Sequence, residues 1–98
     1  SPEAEPYGAA KSGLHALTRS FAFALGPKVR VNAIAAGPFL TDISKAWDME
    51  AFEKRAQSTL ALGRGGQPEE HVGAALYLAG PGGSFTTGTV IRVDGGTR

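Results

Sequence analysis

Cysteine is absent from the 98 residues, which excludes a disulfide framework and any thiolate metal site. Histidine is scarce. His15 and His71 stand in separate segments, and two isolated imidazoles set no metal-ligand spacing, so no metal is expected. No run of lysine or arginine occurs. Ten basic and nine acidic residues are well mixed, for a formal net charge of +1, which leaves no basic stripe for nucleic acid. The longest apolar stretches fall well short of the ~18 residues a membrane span needs. The opening "SPEAE" lacks the charged-then-apolar pattern of a secretory leader. A soluble, cytoplasmic protein with neither nucleic-acid nor membrane partners is the expectation.

What is present reads as globular. Apolar residues make up 42% of the chain, and the 14 glycines fall between periodic segments rather than in low-complexity tracts. The length allows one domain at most. Pro6 suits the first turn of a helix, where a missing N–H costs nothing. Ala10, Leu14, Leu17, Phe21 and Leu25 then recur at helical spacing until Gly26-Pro27 stops the run. "VRVNAIAAG", Val29 to Gly37, is short and apolar on both faces over Ala33–Ala36, the pattern of a buried parallel strand. Trp47, Met49, Phe52 and Ala56 predict a short amphipathic helix at roughly 48–59, and "LGRGGQ" breaks it. Pro68-Glu69-Glu70 starts another helix, with acids at the positive end of its dipole. Val72, Ala75, Leu76 and Ala79 are expected to form its core face, and Gly80-Pro81 to end it. "TVIRVDGG" is a second strand. Alternating helices and strands imply an α/β fold with a parallel sheet. Doubly wound dinucleotide folds use about six strands, so the chain is expected to be one end of a larger domain. A parallel neighbour for the strand over Val31–Ala35 is not evident.

Tyr7 and Lys11 open the first helix four residues apart, a spacing that puts Cβ atoms ~5–6 Å apart on one face. A free tyrosine titrates near 10 and is a poor proton shuttle at neutral pH. A lysine cation favours the phenolate. At ~4 Å and an effective dielectric of ~20 the attraction is about 4 kcal/mol, or about 3 pKa units. That is enough to bring the phenol into the range where general acid–base catalysis works. On the pair alone, a tyrosine capping a helix beside a solvated lysine is the plainer account.

Four segments change that balance. "YGAAKSGLHALTRSFAFAL", "VRVNAIAAGPFLTD", "LGRGGQPEEHVGAALYLA" and "TTGTVIRVDGG" occur in this order and at this spacing. Together they resemble the C-terminal portion of the short-chain dehydrogenase/reductase family, from its Tyr-x-x-x-Lys motif onward. The resemblance implies residues 1–98 are part of an NAD(P)-binding Rossmann-like domain whose N-terminal, glycine-rich half is absent. It implies NAD or NADP as cofactor and interconversion of a secondary alcohol and a ketone. Tyr7 matches the family's acid/base. Lys11 matches the residue that lowers the tyrosine pKa and hydrogen-bonds the nicotinamide ribose.

"AAGPFLTD" resembles the family's Pro-Gly-x-x-x-Thr stretch, although Ala36 stands where proline is usual and Pro38 follows the glycine. By this match Gly37 lets the backbone come close to the nicotinamide, Thr41 bonds its carboxamide, and backbone at Ile34 and Phe39 assists. A turn or cap beside Asp42 is the other account of Thr41. Phe39, Leu40, Ile43, Trp47, Met49 and Phe52 are expected either to form an apolar substrate lid or merely to bury the helix there. "GRGGQPEE" matches no phosphate-loop fingerprint. Asp94-Gly95-Gly96 resembles a family signature that is structural and near a subunit interface. Both histidines are expected on solvated helix positions. Ala9, Gly13, Ala16 and Ser20 form a small-residue stripe beside the large apolar one, and the resemblance implies a tetramer or dimer interface there.

The family's catalytic serine and glycine-rich turn would lie upstream of Ser1. Three readings follow: an alcohol/ketone oxidoreductase; a non-catalytic partner subunit or cofactor-sensing scaffold, which would not need an intact Tyr7, Lys11 and Thr41; and an inert truncated product. On its own the 98-residue chain is expected to be aggregated or molten, to bind no dinucleotide tightly and to be inactive.

Overall fold

The computed structural model describes residues 4–37 and 49–97, with side chains in the first helix from Gly8 onward. Helix α1 spans Ala4–Leu25, strand β1 Ala33–Ala36, helix α2 Met49–Thr59, helix α3 Val72–Ala79 and strand β2 Val90–Val93. Short 3-10 turns at Pro68–His71 and Pro81–Gly83 flank α3. The α/β class and the parallel sheet expected from the sequence are both observed.

β1 does find its parallel neighbour within the chain, and that neighbour is β2. Ala33, Ile34, Ala35 and Ala36 pair with Val90, Ile91, Arg92 and Val93. The ladder is shorter than Val29–Gly37. Before Ala33, side chains join the backbone pairing: Gly88 N donates to Val31 O (2.7 Å), the Asn32 amide donates to Thr86 O (3.0 Å), and its Oδ1 accepts from Thr89 N (3.1 Å). β1 is half-buried rather than buried, because among the described residues it has a single strand beside it.

α1 packs against β1, but not through the stripe that periodicity picks out. Thr18 and Ala22 are its buried residues, and Lys11 is half-buried on the same side. Thr18 Oγ1 donates back to Leu14 O at 2.7 Å, which satisfies its buried hydroxyl. Ala22 allows close approach of the loop before β2, where Gly88 sits at φ +79° against its Cβ. Leu17, Phe21 and Leu25, and the small stripe of Ala9, Gly13, Ala16 and Ser20, are all exposed in this chain.

Pro68 opens a tight 3-10 turn, and regular helix begins only at Val72. The cause is local: Glu70 N donates to Gln67 O (2.9 Å), while the Glu70 carboxylate accepts from Gln67 N (2.9 Å). The expected core face of α3 is corrected. Val72, Ala75, Leu76 and Ala79 are exposed, and Ala74 and Leu78 are the half-buried pair. The sequence "VGAALYLA" is apolar all round, so no polar face marks which side turns inward. Among the described residues the buried side chains are few: Ala22, Ala56 and Leu60 with Thr18. The radius of gyration is 15.6 Å, against about 13 Å for a folded domain of this length.

Candidate functional site

In a parallel sheet the strands end on the same edge, and open α/β sheets bind ligands beyond those carboxyl ends. Here that edge carries Gly37 after β1 and Asp94 after β2. Gly37 N donates to Val93 O at 2.9 Å, extending the ladder by one step. A Cβ on Gly37 would lie 2.5 Å from Asp94 Cα and 2.6 Å from Asp94 Cβ. The close approach of the two strand ends therefore requires glycine on its own account, whatever else comes near it.

Asp94 ties a turn together. Its Oδ1 accepts from Gly96 N (2.9 Å), and its Oδ2 accepts from Thr97 Oγ1 (2.7 Å) and Arg92 Nε (2.9 Å). Arg92 Nη2 closes the loop by donating to Thr97 O (2.6 Å) and Oγ1 (2.7 Å). Burial opposes ionisation of the Asp94 carboxyl. The hydrogen bonds from Thr97, Gly96 and Arg92, with the Arg92 charge, outweigh it and hold the group at about 2. Gly95 and Gly96 turn the chain at φ +69° and +88°, and their carbonyls accept from Leu62 N (2.8 Å) and Ala61 N (3.1 Å) just past α2. One turn thus touches both the end of β1 and the end of α2.

Below it lies a cavity of about 390 Å³, with Arg64, Glu70, Arg92 and Asp94 in its wall. Arg64 grips Glu70 with both terminal nitrogens, at 2.8 and 3.0 Å. The Arg64 hydrogen bond, then the Gln67 N–H, hold the Glu70 carboxyl at about 2. The same Glu70 contact pushes Arg64 above its ordinary value. The "GRGGQPEE" stretch is therefore a latch between the end of α2 and the start of α3.

The predicted site residues fall as follows. Tyr7 and Lys11 lie one turn apart near the start of α1, the helix packed on β1. Ile34 is half-buried on β1, opposite Ile91. Met49 and Phe52 are half-buried on α2, on the way to the buried Ala56 and Leu60. Phe39, Leu40, Thr41, Ile43 and Trp47 lie outside the described residues. His15 is exposed as expected. His71 is half-buried rather than solvated, because it ends the tight 3-10 turn instead of standing on an open helix face. Two features escaped sequence reasoning. The Arg64–Glu70 pair spans six residues across a turn, a separation with no helical or strand period. The contact of Asp94 with Gly37 joins residues 57 apart, and its only trace in the sequence is the Asp-Gly-Gly turn.

The family model described as enoyl-(acyl carrier protein) reductase matches residues 1–98. An uncharacterized oxidoreductase of Mycobacterium tuberculosis is 41% identical over 91 residues, covering 92% of this chain and 37% of the relative. The rhamnolipids biosynthesis 3-oxoacyl-[acyl-carrier-protein] reductase of Pseudomonas aeruginosa is 41% identical over 97 residues, 96% of this chain and 38% of the relative. The solved structure of BdcA in complex with NADPH superposes with a TM-score of 0.78 at 37% identity, over 93% of this chain and 37% of that one. The chain thus spans well under two thirds of the proteins it matches. With the match running through every described element, the chain belongs to the short-chain dehydrogenase/reductase family.

Proposed function

We propose that this chain is the catalytic-helix portion of an NAD(P)-dependent oxidoreductase that interconverts a secondary alcohol and a ketone. The observation that carries the reading is the placement of Tyr7 and Lys11 one turn apart on α1, the helix packed against the strand that ends at Ala36, just before Gly37. The residue types suit a nicotinamide nucleotide: lysine offers an ammonium with three N–H donors for sugar hydroxyls, and tyrosine a phenol, at positions one helical turn apart. The NADPH complex of BdcA supports the cofactor class. The 3-oxoacyl reductase relative, whose named substrate is a ketone, supports the reaction class.

A bound nicotinamide supplies or takes up the hydride. Tyr7 Oη gives its proton to the carbonyl oxygen in reduction, and takes the hydroxyl proton in oxidation. Lys11 lowers the cost of the phenolate and orients the ribose side. Thr41, with backbone at Ile34, Gly37 and Phe39, holds the carboxamide side. Phe39, Leu40, Ile43, Trp47, Met49 and Phe52 wall the substrate and keep water out. The chain covers 37% and 38% of the two relatives named above, and the activity is proposed for a longer protein of their length. Leu17, Phe21 and Leu25 on one face of α1, and Gly13 and Ala16 on another, are exposed here. In that longer protein they are covered by the remainder of the domain and by another copy in a dimer or tetramer.

The test is Tyr7→Phe in the full-length protein. Turnover should fall by at least about 10²-fold, the scale of lost acid–base catalysis, while cofactor affinity stays within a few-fold. Lys11→Ala should damage both. Near-normal turnover in Tyr7→Phe would refute the assignment.

A further inference from the structure

We infer that the Asp94-Gly95 bond is a latent isomerisation site, and that the side chains of the 94–97 turn and of Arg92 keep it closed while the chain stays folded. The inference does not depend on the reaction proposed above. Of the three aspartates and one asparagine in the sequence, Asp94 alone precedes a glycine. Glycine has no side chain to shield its own nitrogen, which is therefore the nitrogen best able to attack the carboxyl carbon before it. In that step Gly95 N bonds to Asp94 Cγ. One carboxyl oxygen leaves as water, carrying the acid proton and the amide hydrogen, and a five-membered succinimide closes. Water then opens one of the two ring carbonyls. One opening restores aspartate. The other gives isoaspartate, whose main chain runs through Cβ and Cγ and is one carbon longer.

Three observations carry it. Cyclisation needs a protonated carboxyl, because the oxygen leaves only as water. The Asp94 carboxylate accepts from Arg92 Nε, Gly96 N and Thr97 Oγ1 at 2.7–2.9 Å, and each of these bonds favours the ionised form. Cyclisation also needs Cγ to swing over Gly95 N. The same contacts aim Oδ1 at the next amide along, Gly96 N, and Oδ2 at Thr97 and Arg92, in a side chain only 8% exposed. Last, isoaspartate needs slack in the main chain, and the turn has none to give: the Gly95 and Gly96 carbonyls are tied to Leu62 N (2.8 Å) and Ala61 N (3.1 Å). The consequence is one-way. Once the turn opens and the bond isomerises, the extra carbon puts those two carbonyls out of register with Leu62 and Ala61. A passing opening becomes a permanent one, and Arg92 and Thr97 are the side chains that prevent it.

The experiment ages the full-length protein at neutral pH and physiological temperature, folded in buffer and unfolded in guanidinium chloride. Trypsin cuts after Arg92, so the fragment that begins at Val93 carries the site. Isoaspartate in it is counted by electron-transfer mass spectrometry, which breaks the added main-chain carbon bond. A carboxyl held at about 2 instead of 3.8 is protonated roughly 60-fold less often at any pH above both. Folded wild type should therefore isomerise at least about ten-fold more slowly than the unfolded chain. Thr97→Val removes one donor and should speed isomerisation of the folded protein about three-fold, the scale of one lost hydrogen bond. Arg92→Gln removes the charge as well and should speed it further. Equal rates in folded and unfolded wild type would overturn the inference, as would an unfolded chain in which Asp94 stays aspartate. So would a Thr97→Val protein with a wild-type melting curve and a wild-type rate, since protection by folding in general predicts that result. If Thr97→Val does not fold, Arg92→Gln takes its place, and the comparison of folded with unfolded wild type stands without either.

Discussion

Replacing Gly37 by alanine tests the junction of the two strand ends directly. The added methyl would stand 2.5 Å from Asp94 Cα, 2.6 Å from Asp94 Cβ and 3.0 Å from Asp94 O. Carbon atoms in contact prefer ~3.5–4.0 Å, so the strand ends must part by about 1 Å. The obstacle is backbone, which cannot rotate away as a flexible side chain would. Overpacking of this kind costs about 1–3 kcal/mol. Separation also stretches the 2.9 Å bond from Gly37 N to Val93 O, whose loss adds about 0.5–1.5 kcal/mol. Alanine recovers about 0.4–1 kcal/mol by restricting the unfolded chain. The net expectation is a destabilisation of about 2–3 kcal/mol, read from urea unfolding of the full-length protein as a shift in midpoint at unchanged slope. Gly73→Ala is the control, since a Cβ there meets nothing within 4 Å; it should leave stability unchanged or raise it by up to about 1 kcal/mol. A Gly37→Ala protein within about 0.5 kcal/mol of wild type, the range of an ordinary surface change, would refute the close-approach argument.

Asp94 and Glu70 both hold their carboxyls at about 2, below unfolded values of 3.8 and 4.5. Their contribution to stability is therefore complete above about pH 4.5 and lost as pH falls towards 2. Unfolding midpoints measured across that window should decline, and Asp94→Asn should flatten the decline; an unchanged slope would contradict the assignment. Gly13 lies in the exposed small stripe of α1 with nothing within 4 Å of an added Cβ. Gly13→Ala should help an isolated helix by about 0.5–1 kcal/mol, so weaker self-association by analytical ultracentrifugation would place a partner copy on that stripe, and unaltered association would remove it from the interface. Residues 1–98 expressed alone leave Phe23 94%, Phe85 103% and Leu76 68% exposed. That polypeptide should aggregate or melt without cooperativity and bind neither NADH nor NADPH; a cooperatively melting monomer with micromolar affinity would contradict this.

Local chemistry made much of the molecule readable from the sequence. Pro6 within its first turn and Gly26-Pro27 after its last bound α1, because missing donors and broken φ/ψ act within a few residues. The same holds for α2, whose apolar spacing predicted roughly 48–59 and whose observed span is Met49–Thr59. The four-residue spacing of Tyr7 and Lys11 identified a candidate pair because a helix fixes which positions share a face. Tertiary structure decided the rest. Which strand lies beside β1, and in what register, depends on residues 57 apart meeting, and no local pattern encodes that meeting. Which side of α1 or α3 is buried could not be read from helices apolar on more than one face; the packing chose Thr18 and Ala22 on α1 and left Leu17, Phe21 and Leu76 outside. Most of all, Gly37 reads in sequence as a glycine kept for a ligand's approach. Only the folded sheet shows it pressed against Asp94, since a steric requirement between two strand ends exists only once the strands are side by side.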